Sequence, residues 1–130
     1  MKLNHECIRS VLLDIEEKHK MGIFLTIEDF IEDSNSSKFS KEDITYSIFK
    51  LDEAKFTNTT LTWSNGEIVF FSTGSLTWEG HKFLDNIRDN GVWKDTKGIL
   101  SKFSSTSISI VSDVASSVIL KLVEKQLGLS

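Results

Sequence analysis

His81 and Asp85 stand four residues apart. On a helix that spacing makes them neighbours on one face, and a histidine with a carboxylate is half of many metal sites. No further His or Cys follows at a useful spacing, so the pair reads as solvated. His5 and His19 are separated by about 21 Å along one helix, too far to share an ion. Cys7 is the single cysteine. It excludes an internal disulfide and a cysteine-based zinc site, and no histidine is placed to activate it, so it reads as a buried inert thiol. The acidic pairs Glu16-Glu17, Glu28-Asp29, Glu32-Asp33, Glu42-Asp43 and Asp52-Glu53 have the chemistry for acid–base work or Mg²⁺. Adjacent residues on a helix point apart, however, and these pairs read as solvated faces. No phosphate-binding glycine loop, nucleophile elbow or dinucleotide fingerprint is present. The expectation is a protein that is not an enzyme and carries no cofactor or metal.

Recognition chemistry is the alternative. Lys38, Lys41, Tyr46 and Lys50 lie on or beside one predicted helix, and Asn65 sits in a predicted hairpin turn. These are the candidate nucleic-acid contacts. Binding a duplex takes Lys or Arg for each phosphate, and arginine is the commonest reader of guanine. The only arginines, Arg9 and Arg88, are not on that helix or hairpin. The chain of 130 residues has 15 Lys and Arg against 19 Asp and Glu, a net charge of −4. Residues 1–55 hold eight basic and twelve acidic residues, and 56–130 hold seven of each. Two readings remain: a weak or accessory DNA-binding regulator, or a module that offers an acidic face to a protein partner. The charge balance favours the second.

These residues need elements to position them. A hydrophobic content of 39% with 26% charged residues supports a folded domain. Asn4 caps a helix to about Lys20 with Cys7, Ile8, Val11, Leu12 and Ile15 on its apolar face; Arg9, Asp14 and Glu16 fall largely elsewhere. Ile23 to Ile27 suggests a short strand, and Glu28 to Glu32 a short helix with Ile27, Phe30 and Ile31 inward. Ser34 to Ser37 is a loop by composition. Ser40 opens a capped helix to about Ala54 carrying Ile44, Ile48 and Leu51. Phe56–Trp63 and Ile68–Thr73 flank Asn65-Gly66, which accepts the two positive φ angles of a type I′ hairpin turn. Gly74-Ser75 breaks the second strand. Thr77 caps a helix to about Arg88, with Trp78, Phe83, Leu84 and Ile87 inward, and Asn90-Gly91 stops it. Val92 to Phe103 forms another helix, with Ile99 and Phe103 on its apolar stripe, and Ile108 to Leu127 the last.

The fold class is therefore α+β, mostly α: helices, a two-stranded β-hairpin wing and additional C-terminal helices. A capped helix leading directly into a hairpin is the order of a winged-helix domain. The division is a winged-helix-like domain at 1–103 and a packing or dimerisation helix at 104–130. On that last helix Val111, Ala115, Val118 and Leu122 follow the spacing of a helix-packing seam, so a homodimer through it competes with packing inside one chain.

Two stretches carry a family resemblance. Ile44-Thr45-Tyr46-Ser47-Ile48-Phe49-Lys50-Leu51-Asp52-Glu53-Ala54-Lys55-Phe56 looks like the recognition helix of small winged-helix proteins, with Lys55 where glycine is usual. Leu76-Thr77-Trp78-Glu79-Gly80-His81-Lys82-Phe83-Leu84-Asp85-Asn86-Ile87-Arg88-Asp89, followed by Val92-Trp93-Lys94-Asp95-Thr96-Lys97, resembles a family of uncharacterised bacterial and prophage proteins known as a domain of unknown function. It is similar, more distantly, to the YjcQ-type prophage proteins. The resemblance implies a winged-helix fold and a phage or mobile-element setting; in that setting the protein-interaction reading expects a host or phage protein as partner and a host-takeover or anti-defence role. It implies no catalytic residue.

The termini complete the expectation. Lys2, Glu6 and Arg9 interrupt any apolar leader, and Ile108 to Leu129 contains Asp113, Lys121, Glu124 and Lys125. Neither reads as a signal peptide or a membrane span, and the expected compartment is the cytoplasm, with no membrane partner.

Overall fold

The computed structural model describes residues 1–128. The chain divides into two compact units, 1–81 and 82–130.

The first unit begins with α1 (His5–Lys18). The Asn4 side chain accepts the Cys7 N–H at 3.1 Å, satisfying one of the helix's orphan donors. Cys7, Ile8, Val11, Leu12 and Ile15 are buried along one stripe. Asp14 is buried too, against the expectation that it faces outward. Its carboxylate accepts the Asn35 backbone N–H at 2.7 Å, the Asn35 side-chain amide at 2.9 Å and the Ser36 N–H at 3.0 Å. Those bonds compensate its burial and tie the 34–37 loop to α1.

Of the expected short strand only isolated bridges form, whereas the expected short helix is present. Leu25 makes a single antiparallel bridge with Thr73, and α2 (Glu28–Ile31) follows at once. The Asp29 carboxylate accepts the Thr26 N–H at 2.8 Å, and the Lys18 ammonium donates to the Asp29 and Glu32 carbonyls at α2's end. Phe30 is fully buried; Ile27 and Ile31 are half-buried.

Helix α3 (Lys41–Glu53) starts as expected, the Ser40 hydroxyl accepting the Asp43 N–H at 3.1 Å. Its end is a Schellman motif: Phe56 N–H donates to the Leu51 carbonyl and Lys55 N–H to that of Asp52. The motif puts Lys55 at φ +64°, where glycine would be unstrained.

Strands β1 (Thr57–Ser64) and β2 (Glu67–Leu76) form one antiparallel pair. Asn65 and Gly66 have φ of 53° and 79°, as a type I′ turn requires. Leu61 pairs with Phe71 and Trp63 with Ile68, with irregular register between Thr62 and Trp63. The second strand does not break at Gly74-Ser75 but runs on to Leu76. A second register shift between Thr57 and Thr59 absorbs the glycine, and the Phe24 ring covers it: a Cβ there would meet that ring at 3.5 Å. The first unit thus runs helix, bridge, helix, helix, hairpin, and the fold is α+β and mostly helical.

Helix α4 (Trp78–Ile87) leads from the first unit into the second. Its apolar face is Gly80, Phe83, Leu84 and Ile87, all buried. Trp78, expected inward, is off that face and 78% exposed. Gly80 lies against the end of α3: a Cβ there would fall 2.1 Å from the Phe56 carbonyl oxygen.

In the second unit, Asn90-Gly91 opens a helix instead of merely ending one. The Asp89 carboxylate accepts the Val92 N–H at 2.9 Å and caps α5 (Asn90–Leu100). Val92, Trp93 and Thr96 are buried, whereas Ile99 and Phe103 are exposed. Helix α6 (Ile108–Gln126) is capped by Ser107 and packs on α5. The Ser104–Ser107 stretch, where the sequence suggests a domain boundary, thus joins two helices that share one unit.

Candidate functional site

In the first unit a cluster of aromatic and polar side chains lies between α3 and the hairpin. Helical spacing brings Thr45, Tyr46 and Phe49 to one side of α3. The strand pairing brings Trp63 beside Ile68 on the hairpin. Between them is a cleft of about 870 Å³ to which Met1, Lys41 and Glu67 also contribute. Phe49 and Trp63 meet edge to face, centroids 6.0 Å apart at 89°, a favourable arrangement of their quadrupoles. Trp63 remains 51% exposed. Lys41 and Thr45 also border a smaller concavity of about 320 Å³ towards Ile27 and Phe71.

The five candidate nucleic-acid residues do not form one cationic surface. Lys41 and Tyr46 line the cleft. Lys50 has its ammonium 5.6 Å from the Tyr46 ring centroid and 5.2 Å from that of Phe49. The same ammonium pairs with Glu53 at 3.1 Å, so its charge is partly satisfied within α3. The Tyr46 hydroxyl donates to the Met1 carbonyl at 3.2 Å. Lys38 precedes α3, its ammonium 5.5 Å from the Phe39 ring. Asn65 sits at the exposed hairpin tip, and its neighbours Gly66 and Glu67 border the cleft.

Phe49 does not stand out in the sequence, and Trp63, which with Trp78 and Trp93 could line a pocket, reads there as core. Their signal was present: Trp63 alternates with Leu61 along a strand whose partner helix is adjacent in sequence. Aromatics in so small a domain read as core, and only the hairpin's position relative to α3 leaves Trp63 half in solvent.

The chemical candidates stay apart. Cys7 is fully buried. Burial pushes its thiol pKa up, against the lowering effect of a hydrogen bond with Ser47, so the thiol stays protonated and unreactive. Among the described residues no group of three His, Cys, Asp or Glu side chains could hold a metal ion. No helix among them is long and apolar enough to cross a membrane.

The four seam residues of α6 divide. Val111 and Ala115 are fully buried. Val118 is half-buried and Leu122 is 48% exposed, and both line a groove between α5 and α6.

Comparison with known proteins agrees with the family of unknown function read from the Leu76–Lys97 region. A protein from Haemophilus influenzae (strain ATCC 51907 / DSM 11121 / KW20 / Rd), described as an uncharacterized protein, is 31% identical over 120 residues, covering 92% of this chain and 96% of its own. No solved structure matches. Residues 2–107, from the start of the chain to the residue before α6, match the family model described as hypothetical protein (DUF2513). The chain therefore belongs to the DUF2513 family.

Proposed function

We propose that this chain is a non-enzymatic protein-interaction module whose α3–hairpin cleft receives an apolar or aromatic side chain of a protein partner in the cytoplasm. The observation that carries this reading is the lining of the cleft. Tyr46, Phe49, Trp63 and Ile68 face it, and the nearby Lys50 is already paired with Glu53. Partly exposed aromatics in a concave site are what protein interfaces use as anchors. The acidic balance of residues 1–55 opposes phosphate binding over the same face. The resemblance to prophage proteins, including the YjcQ type, makes a host or phage protein the natural partner and host takeover or anti-defence the natural role.

A second reading, an accessory DNA-binding regulator, is favoured by one observation: the helix-before-hairpin order of a winged helix. It would use Lys38, Lys41, Tyr46, Lys50 and Asn65.

Affinity capture from a host lysate separates the two, using the natural chain and the Trp63→Ala and Phe49→Ala variants. The interaction reading expects a reproducible partner that both variants lose. Capture that is indifferent to both variants, together with duplex binding at low salt at micromolar concentration, would establish the DNA reading instead.

A further inference from the structure

The groove between α5 and α6 lies wholly inside the second unit, apart from the cleft just described. Its volume is about 900 Å³. Val114, Val118 and Leu122, four residues apart, run along α6 and face Ile99 of α5. Such spacing follows the helix axis, so the apolar floor extends for about 12 Å, just over two turns. It is not closed by the chain's own side chains: Ile99 is 45% exposed and Leu122 48%. Every residue from Lys121 to Gly128 is exposed, so the last two turns of α6 have no cover.

Charge identifies what would fit. Lys94, Lys102, Lys121 and Lys125 border the groove, against Asp95 and Asp113. All four lysines are exposed. Among the described residues none of their ammonium groups has a hydrogen-bond or ion-pair partner. An elongated apolar floor with lysine edges is complementary to a helix that has one apolar stripe and carboxylates beside it. A second copy's α6 is a poorer match, because it carries Lys121 and Lys125 beside its apolar stripe where a fitting helix would carry carboxylates. A lipid surface is poorer too, because the floor is recessed between two helices and a bilayer is flat.

We propose that the α5–α6 groove binds an amphipathic helix with acidic flanks, supplied by a protein partner. The proposal does not rest on the α3–hairpin cleft.

The test uses the full chain and two labelled synthetic helical peptides. They share leucines spaced three and four apart over three turns; one is flanked by glutamates and the other by lysines. Fluorescence anisotropy should show the glutamate peptide binding roughly tenfold tighter, the size expected of two or three exposed ion pairs, with the preference shrinking as salt screens them. The Leu122→Asp variant should abolish binding. The double variant Lys121→Glu, Lys125→Glu, at exposed positions that do not endanger folding, should reverse the preference. Trp63→Ala should leave peptide binding unchanged, which keeps this result separate from that for the cleft. Equal binding of both peptides, or of neither, would overturn the proposal. So would a sedimentation mass showing that α6 instead pairs two copies, or binding to phosphatidylserine vesicles in place of peptides.

Discussion

At the scale of single residues, two buried polar groups carry the clearest consequences. Asp14 accepts three hydrogen bonds from Asn35 and Ser36. Asp14→Ala leaves the buried Ser36 N–H without its acceptor and frees the loop from α1, and the expected loss is about 2 kcal/mol, read by urea unfolding. The sequence did not disclose this residue, because an aspartate beside an apolar stripe looks solvated until the loop that covers it is in place. Cys7 gives a pH prediction. Its pKa is raised in the folded chain by burial, so unfolding releases a thiol that ionises more readily. Stability is therefore unaffected by this group below the ordinary thiol range and falls as pH rises through that range towards the raised folded value. Cys7→Ser should remove that alkaline component in thermal melts compared between pH 7 and pH 10.

At the scale of elements, the ends of α3 and the start of α4 are the informative places. The Ser40 cap, the apolar spacing of α3 and the Asn65-Gly66 turn were legible because each rests on local chemistry that neighbours in the chain determine. Lys55 is the exception within that stretch: it takes the left-handed position of the Schellman motif. Lys55→Gly should raise stability by about 1 kcal/mol, seen as a higher melting temperature. Gly80→Ala should do the opposite, because its Cβ would meet the Phe56 carbonyl at 2.1 Å. A loss of about 2–3 kcal/mol is expected, measured by the same melts. Neither Gly80 nor Trp78 could be read correctly in advance. Gly80 is set by its approach to Phe56 just after α3, a contact distant in sequence, and the bulk of Trp78 suggested burial that its place off the apolar face denies it. Gly74 misled in the same way: glycine ends many strands, but here it sits in a register irregularity through which the strand continues to Leu76.

At the scale of the whole molecule, charge and exposure matter more than the order of elements. The mostly helical α+β class followed from periodicity and capping, but the division of the chain did not, because it depends on α5 packing against α6. The candidate site was legible in part. Lys41 and Tyr46 line the cleft, whereas Phe49 and Trp63, which give it an apolar character, required the geometry of the hairpin against α3. The fully exposed end of α6 has a further consequence: without a helical partner, its last two turns should exchange amide hydrogens faster than the turns around Val111 and Ala115. Hydrogen exchange followed by mass spectrometry would show it.

The claim at the centre is that the α3–hairpin cleft recognises protein. A photo-crosslinking amino acid placed at position 63, in the chain expressed in its host, reads the occupant directly. A discrete protein adduct that is lost when Phe49→Ala is added is the predicted result; adducts to nucleic acid alone, or none at all, would contradict it.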